Sequence, residues 1–378
     1  MFIDTASDLG AFCERASTSP ILALDTEFLR ERTFRPQPCV VQVGTHDEQV
    51  AVDVLALKDN ALAPLRGLLF DRSRVKVLHA CGQDLEIFQI LFGDIPEPVF
   101  DTQVAAAYVG HRLQLGYGAL VEAECGVHLP KTESLTDWTR RPLDPEQVSY
   151  AEDDVRYLPA VYDSLVKKLV SLDRLTWVLP EMEALVEKGR HANDPDDAYL
   201  HVKRAGTLSG RQLAVCREVA AWRERKAASR NVPRKWLLSD EVVVEVSRRM
   251  PRTQERLRRL RGTAQLKEKD GEAIVLAVKR GLACPEGRRP SMPHRSRPSQ
   301  ESESVVDLMF VMVRLVAERE SIAPQLIAGR DDLQAFLEDP ASSKLGAGWR
   351  HELMGRRLSD LLGGRAGLTV KDGRVELL

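Results

Sequence analysis

Residues 21–28 read Ile21-Leu22-Ala23-Leu24-Asp25-Thr26-Glu27-Phe28, an apolar run broken by two acids. The run predicts a buried β-strand, and side chains two apart on a strand leave the same face. Asp25 and Glu27 therefore project together near the end of a hydrophobic strand. Two like charges side by side away from water are costly unless something positive sits between them. A divalent metal is the simplest compensator. The competing reading is a strand that runs out into solvent with two exposed acids, so the surrounding sequence has to decide.

Outward from this strand the pattern is that of an α/β domain. Upstream, residues 7–17 predict an amphipathic helix. Downstream, Pro36 and Pro38 break the chain before two further strands, 39–44 (CVVQVG) and 49–54 (QVAVDV). Three strands with short connections predict an antiparallel meander. Residues 61–69 predict a helix and 75–79 (VKVLH) a fourth strand. Gly82 then interrupts, and Asp84 opens an apolar helix with Leu85, Phe88, Leu91 and Phe92. A carboxylate in a first helical turn commonly serves the helix dipole. A strand end that runs into a helix start also sets Asp84 beside neighbouring strand ends, where sites assemble in open α/β sheets. Residues 96–100 supply a fifth strand, with helices at 101–110 and 116–125.

Residues 128–143 are polar and loop-like, with Lys131, Asp137, Trp138, Arg140 and Arg141. A tryptophan among cations can stack on bases and hold a nucleic-acid backbone, or it can cap the core. Residues 144–170 predict one long helix, with Asp144 as N-cap and Pro145 at its first position. Tyr150 and Asp154, four apart, share a face of that helix. Asp153, three from Tyr150, is not excluded by helical geometry.

The remainder reads as helical. The boundaries expected are 1–170 for the α/β domain, 171–208 for a poorly patterned connection and 209–285 for a small all-α unit. A linker rich in Pro, Ser, Arg and Glu follows at 286–304, and a second small all-α unit at 305–378. Net charge is −2, but it is unevenly spread. Residues 1–170 hold 16 Lys and Arg against 26 Asp and Glu, whereas 203–297 hold 25 against 10. A basic block behind an acidic front suggests a polyanionic partner, or else a solvated face. No apolar run approaches the ~20 residues of a membrane span, and no secretory signal is visible. Six scattered cysteines without a C-x-x-C pair argue against a zinc module and for reduced thiols in a cytoplasm.

Four acids and a tyrosine thus stand in order, with neither a Ser-His-Asp arrangement nor a P-loop lysine. Carboxylate oxygens are hard ligands suited to Mg²⁺ or Mn²⁺. Two such ions ~3.5–4 Å apart clamp the attacking and leaving oxygens of a phosphodiester. A tyrosine hydroxyl can orient the water.

At this point the sequence resembles a known family. L-D-T-E-F, H-A-C-G-Q-D-L-E-I-F and Y-A-E-D-D-V resemble the three exonuclease motifs of the DEDD superfamily, and Y-x-x-x-D marks its tyrosine branch. With D-T-Q at 101–103 and K-T-E-S-L-T-D-W-T-R-R-P-L at 131–143, the resemblance is to the ribonuclease D family. Residues 209–282 resemble the HRDC helical domain, and 305–362 the more divergent second helical repeat. The resemblance implies a ribonuclease H-like domain with a mixed sheet, followed by two HRDC-like helical domains. It implies Asp25, Glu27, Asp84 and Asp154 as metal ligands, selecting Asp154 over Asp153, and Tyr150 as the group that orients the water. It implies 3′→5′ exoribonuclease action on RNA with an accessible 3′ end, in particular tRNA precursors, with release of nucleoside 5′-monophosphates. Glu152 and Asp153 depart from the small residues of relatives and add charge beside the site. The alternatives are a 3′→5′ DNA exonuclease, which uses the same acids, and a non-catalytic RNA-binding adaptor. The presence of all five site residues argues against the adaptor.

Overall fold

The computed structural model describes residues 1–130, 136–191, 194–292 and 300–378. The chain forms two compact units. One comprises Met1–Glu27, Cys39–Glu187 and Ser296–Leu378, the other Phe28–Pro38 and Lys188–Arg295.

The first unit begins with β1 (Phe2–Ile3), α1 (Ala6–Ala16), β2 (Ile21–Leu29), β3 (Gln37–Gly44), β4 (Gln49–Asp53) and α2 (Ala63–Leu69). It continues with β5 (Val75–Leu78), α3 (Gly82–Phe92), β6 (Val99–Asp101), α4 (Thr102–Tyr108) and α5 (Tyr117–Cys125). Then come α6 (Pro145–Arg156), α7 (Leu158–Ser171) and α8 (Leu175–His191). Among the described residues six strands form one sheet in the order β1-β4-β3-β2-β5-β6. β1 pairs parallel with β4, β2 with β5 and β5 with β6, while β3 and β4 run antiparallel. The sheet is mixed. β2, β3 and β4 are neighbours in chain order, as expected of a meander. The two-residue β1 is too short to carry a period and has no counterpart in the sequence reading.

Alternation along β2 sorts its side chains between two cores. Leu22 and Leu24 pack with Leu9 and Phe12 of α1, Leu65 and Leu69 of α2, and Leu85 and Phe88 of α3. Ile21 and Ala23 face the other way, against Val77, Val155 and Leu158. Asp25 and Glu27 continue this second row, toward α6. Gly44 of β3 makes that approach close. A Cβ there would stand 3.1 Å from the Val155 carbonyl oxygen and 3.3 Å from the Ala23 Cβ.

The helix expected over 144–170 is two helices. It starts as expected, with Pro145 in its first turn and the Gln147 Oε1 accepting from the Asp144 N–H at 3.0 Å. It breaks at Tyr157 because Pro159 has no N–H for the helical ladder, and its ring crowds the preceding turn. The Tyr117 hydroxyl takes up the freed groups. It donates to the Asp153 carbonyl at 3.0 Å and accepts from the Tyr157 N–H at 3.3 Å. A second difference is α8, in the stretch read as poorly patterned. Val178, Met182 and Val186 recur every fourth residue and are buried, but Pro180 lies inside the helix and masks the period.

In the second unit α9 (Gly210–Arg230), α10 (Arg234–Leu237), α11 (Asp240–Arg249), α12 (Gln254–Arg258) and α13 (Glu268–Leu282) close around Leu213, Val219, Val243, Leu257 and Ile274. The C-terminal part of the first unit comprises α14 (Gln300–Arg319), α15 (Pro324–Ile327), α16 (Arg330–Glu338), α17 (Gly348–Arg350) and α18 (Arg356–Leu362). It ends in an antiparallel hairpin of β7 (Leu368–Lys371) and β8 (Arg374–Leu377), where the sequence reading has only an all-α unit. Among the described residues no helix is long and apolar enough to cross a membrane.

Candidate active site

Two acids of β2 meet a third, distant in sequence, where the strand passes under α6. One carboxylate oxygen from each of Asp25, Glu27 and Asp154 lies within 4.8 Å of the other two. β2 supplies the first pair through its period of two, and α6 supplies Asp154 one turn after Tyr150. The Asp154 carboxyl interacts with Asp25 and with the Tyr150 hydroxyl beside it. Asp84, in the first turn of α3 and 7% exposed, stands outside this triplet. Its Oδ1 accepts from the Thr26 Oγ1 at 2.5 Å.

The electrostatics are those of crowded, poorly hydrated acids. Burial pushes Asp25 well above the usual carboxylate range, and the charges of Asp84, Asp154 and Glu27 add to it. Burial, then Asp154 and Asp84, raise Glu27 to about 8. Asp84 is raised to about 7 by burial, against the Thr26 hydrogen bond. Asp154 is raised to about 7 by burial, against its bonds with Asp25 and Tyr150. Burial and then Asp154 raise the Tyr150 phenol, so its hydroxyl stays protonated and is a donor. Glu152 and Asp153, the added acids, both pair with Arg156, at 3.6 Å and 2.8 Å. Part of their charge is therefore offset, although Asp153 still helps to raise Asp154.

A family model for a 3′–5′ exonuclease matches residues 1–170, and one for the HRDC domain matches 212–278. A ribonuclease D of Nitrobacter hamburgensis is 40% identical over 377 residues, 99% of this chain and 98% of that protein. One of Acidiphilium cryptum is 36% identical over 381 residues, 100% of this chain and 97% of that protein. The crystal structure of Escherichia coli RNase D, an exoribonuclease involved in structured RNA processing, matches with a TM-score of 0.82 at 31% identity. That match covers 96% of this chain and 98% of the other. The chain belongs to the ribonuclease D family. It is a nuclease, a 3′→5′ exoribonuclease with an HRDC domain behind its catalytic one.

Exonucleases of this family depend on a divalent metal, and the donor set fits one. All the donors are hard carboxylate oxygens, and the Asp154 Oδ2 is buried with no hydrogen-bond partner among the described residues. A buried, unpaired carboxylate oxygen is expensive unless a cation takes it.

Two residues to which the sequence reading gave no site role hold the ribonuclease D acids in place. Thr26 fixes Asp84. Asp101, 2% exposed, ties down the turn that starts α3. Its Oδ2 accepts from the Cys81 N–H at 2.9 Å, and its Oδ1 from the Ala80, Gln103 and Val104 N–H groups at 3.2, 2.8 and 3.1 Å. Ala80 is thereby held at a φ of +57°, which few non-glycine residues adopt. An aspartate just before Thr-Gln was a readable N-cap signal. Thr26 carried no signal beyond its place between two acids.

The loop candidates for nucleic-acid binding fare differently. Lys131 lies outside the described residues. Arg140 is exposed. Trp138 is only 4% exposed, and its ring lies 6.2 Å from that of Tyr150, centroid to centroid, so it offers no face to a base. Arg141 spends its guanidinium inside the protein, with its Nε 2.6 Å from the Asp53 Oδ2 and its Nη2 2.7 Å from Oδ1. A polar loop rich in cations does not disclose which of its members fold inward.

Proposed function

We propose that the chain trims the 3′ ends of RNA by two-metal-ion phosphodiester hydrolysis, with Asp25, Glu27, Asp84 and Asp154 as metal ligands. The observation that carries this reading is the convergence of the Asp25, Glu27 and Asp154 oxygens within 4.8 Å beside Asp84. Two bound ions would supply Lewis acidity at the attacking water and at the leaving 3′-oxygen. The protein's own part is to hold four negative groups in a place where they repel one another, and so to favour a dication there. Tyr150, protonated near neutrality, orients the water and leaves its acidification to the metal. The RNA is a precursor with an accessible 3′ end, of the tRNA kind, and the products are nucleoside 5′-monophosphates. The processing of structured RNA by the Escherichia coli relative supports that choice. The catalytic domain is read as 1–170, with HRDC-type units at 209–285 and 305–378. Six free thiols support a reducing, cytoplasmic setting.

The test uses 5′-labelled single-stranded RNA and DNA of equal sequence with Mg²⁺ or Mn²⁺. A ladder that shortens from the 3′ end on RNA, abolished by chelator and by Asp25→Asn or Asp84→Asn, is the expected result. Cleavage that persists in excess chelator removes the metal mechanism. A ladder on DNA alone favours the DNA exonuclease reading.

A further inference from the structure

We propose that Arg141 and Trp138 are positioning residues for Tyr150. Arg141 pins the loop before α6 to the sheet, and the loop holds the Trp138 indole against the tyrosine ring. The inference rests on the role assigned above to Tyr150, and it gives the loop a part in the same reaction.

Arg141 carries five N–H donors, and all are used. Besides the two bonds to Asp53, Nη2 donates to the Cys39 carbonyl at 3.1 Å, and Nη1 to the Trp138 and Arg140 carbonyls at 2.8 and 2.9 Å. Asp53 ends β4, and its Oδ1 also accepts from the Leu55 and Ala56 N–H groups at 2.9 and 3.1 Å. Burial pushes the Asp53 carboxyl up, but the Arg141 bonds and these backbone donors hold it below its usual value. A planar fork on a buried carboxylate fixes direction as well as distance. One guanidinium therefore locks the backbone of Trp138 to β3 and β4.

Trp138 passes that order on. Its ring is tilted 40° from the Tyr150 ring at 6.2 Å, within the range of aromatic contact. Its indole Nε1 is buried without a hydrogen-bond partner among the described residues. A buried indole ordinarily finds an acceptor, and a smaller apolar side chain would fill the place without an orphaned N–H. What this position gains from tryptophan is its broad face beside Tyr150. The Tyr150 ring is then bounded by Trp138, with Asp154 beside its hydroxyl, which leaves the oxygen little room to wander. Positioning within a few tenths of an ångström is what a water-orienting group requires.

The experiment is a mutant cycle on the full chain, read as single-turnover rates at saturating RNA and Mn²⁺. Arg141→Lys keeps the charge and loses the fork, and Trp138→Leu removes the face. Each is expected to slow turnover by roughly 10–100-fold, the usual effect of disturbing a supporting shell. RNA affinity and the Mn²⁺-induced melting shift should be unchanged. In the Tyr150→Phe background neither substitution should slow the enzyme further, because the group they position is gone. Trp138→Phe, which restores an aromatic face, should recover most of the rate. If Trp138→Leu does not fold, Arg141→Lys and Trp138→Phe complete the cycle. Effects that multiply in the double variants overturn the proposal, as does a loss of RNA affinity at an unchanged single-turnover rate. A Tyr150→Phe enzyme at full rate removes the tyrosine's role and this inference with it. A slow Tyr150→Phe enzyme with multiplying effects removes this inference alone.

Discussion

Asp25 shows how a single residue is held at odds with its surroundings. Burial and three neighbouring acids keep its carboxyl far above the ordinary range, and Asp84, Asp154 and Glu27 are raised to about 7, 7 and 8. In the unfolded chain such groups titrate near ~4. Below that pH both states hold the protons and stability is unaffected. As pH rises from about 4 to 8 the unfolded chain gives up protons that the folded one keeps, so stability falls through that window. In chelator the melting temperature should therefore drop between pH 5 and pH 8. Mg²⁺ or Mn²⁺ at pH 8 should restore it, and Asp25→Asn should weaken both effects. A melting temperature indifferent to pH and to metal would contradict this account. Tyr150→Phe tests the other half of the site. It removes one oxygen and keeps the ring, so turnover should fall roughly 10²–10⁴-fold, the range for a positioned acid–base group. Metal and RNA affinity should hold. If Tyr150→Phe retains the full single-turnover rate while Asp154→Asn loses it, the tyrosine is packing. Asp25, Glu27 and the Tyr150 face were legible because a strand repeats every two residues and a helix nearly every four, whereas Asp154 was chosen over Asp153 by the family resemblance. Whether Trp138 and Arg141 face inward or outward was not legible, because loop composition carries no inside and outside.

Among the elements, the strands and capped helices were largely readable, and the failures have local causes. Pro159 splits the α6–α7 stretch, and the Tyr117 hydroxyl that bridges the break comes from 40 residues upstream of Tyr157. No periodicity could foretell that bond. Pro180 hid α8, although a proline is tolerated where flanking residues bury as Val178 and Met182 do. The basic block was read only as a charge balance, and the fold localises part of it. Arg252, Arg256, Arg258 and Arg261, on α12 and its flanks, are exposed and have no ion-pair partner among the described residues. If they hold an RNA backbone, the paired reversal Arg256→Glu with Arg258→Glu should weaken RNA binding. It should also flatten the dependence of log affinity on log salt by about 0.7 for each lost contact with a single strand. Turnover at saturating RNA should not change. Filter-binding titrations across a salt series decide the matter, and an unaltered slope would mean that these arginines face only solvent.

For the whole molecule, the C-terminal helices are more than an appendage to the catalytic half. They keep a core of their own around Met309, Val313, Leu333 and Phe336, yet they belong to the same compact unit as the sheet. The join is specific. Trp177 of α8 stacks on Trp349 of α17, with centroids 4.6 Å apart and planes 9° from parallel. The Arg350 Nη1 stands 2.8 Å from the Glu181 Oε1, and the Arg174 Nη2 stands 2.8 Å from the Glu320 Oε2. Arg174 is buried and also donates to the Tyr108 carbonyl at 2.9 Å. Removing one partner from such a pair leaves a buried charge unmatched. Periodicity offered little warning of this seam, because α8 supplies half of it and its period was masked. A chain ending at residue 295 should therefore melt below the full-length protein and show red-shifted tryptophan emission as Trp177 meets water. Trp349→Ala is the milder form of the same test, with an expected loss of about 3 kcal/mol for an aromatic anchor cut to a methyl group. Its turnover below the melting transition should match the parent, because Asp25, Glu27, Asp84, Tyr150 and Asp154 all lie on other elements. Equal melting temperatures for the shortened and full chains would mean that the stacked tryptophans and the two ion pairs contribute nothing to stability.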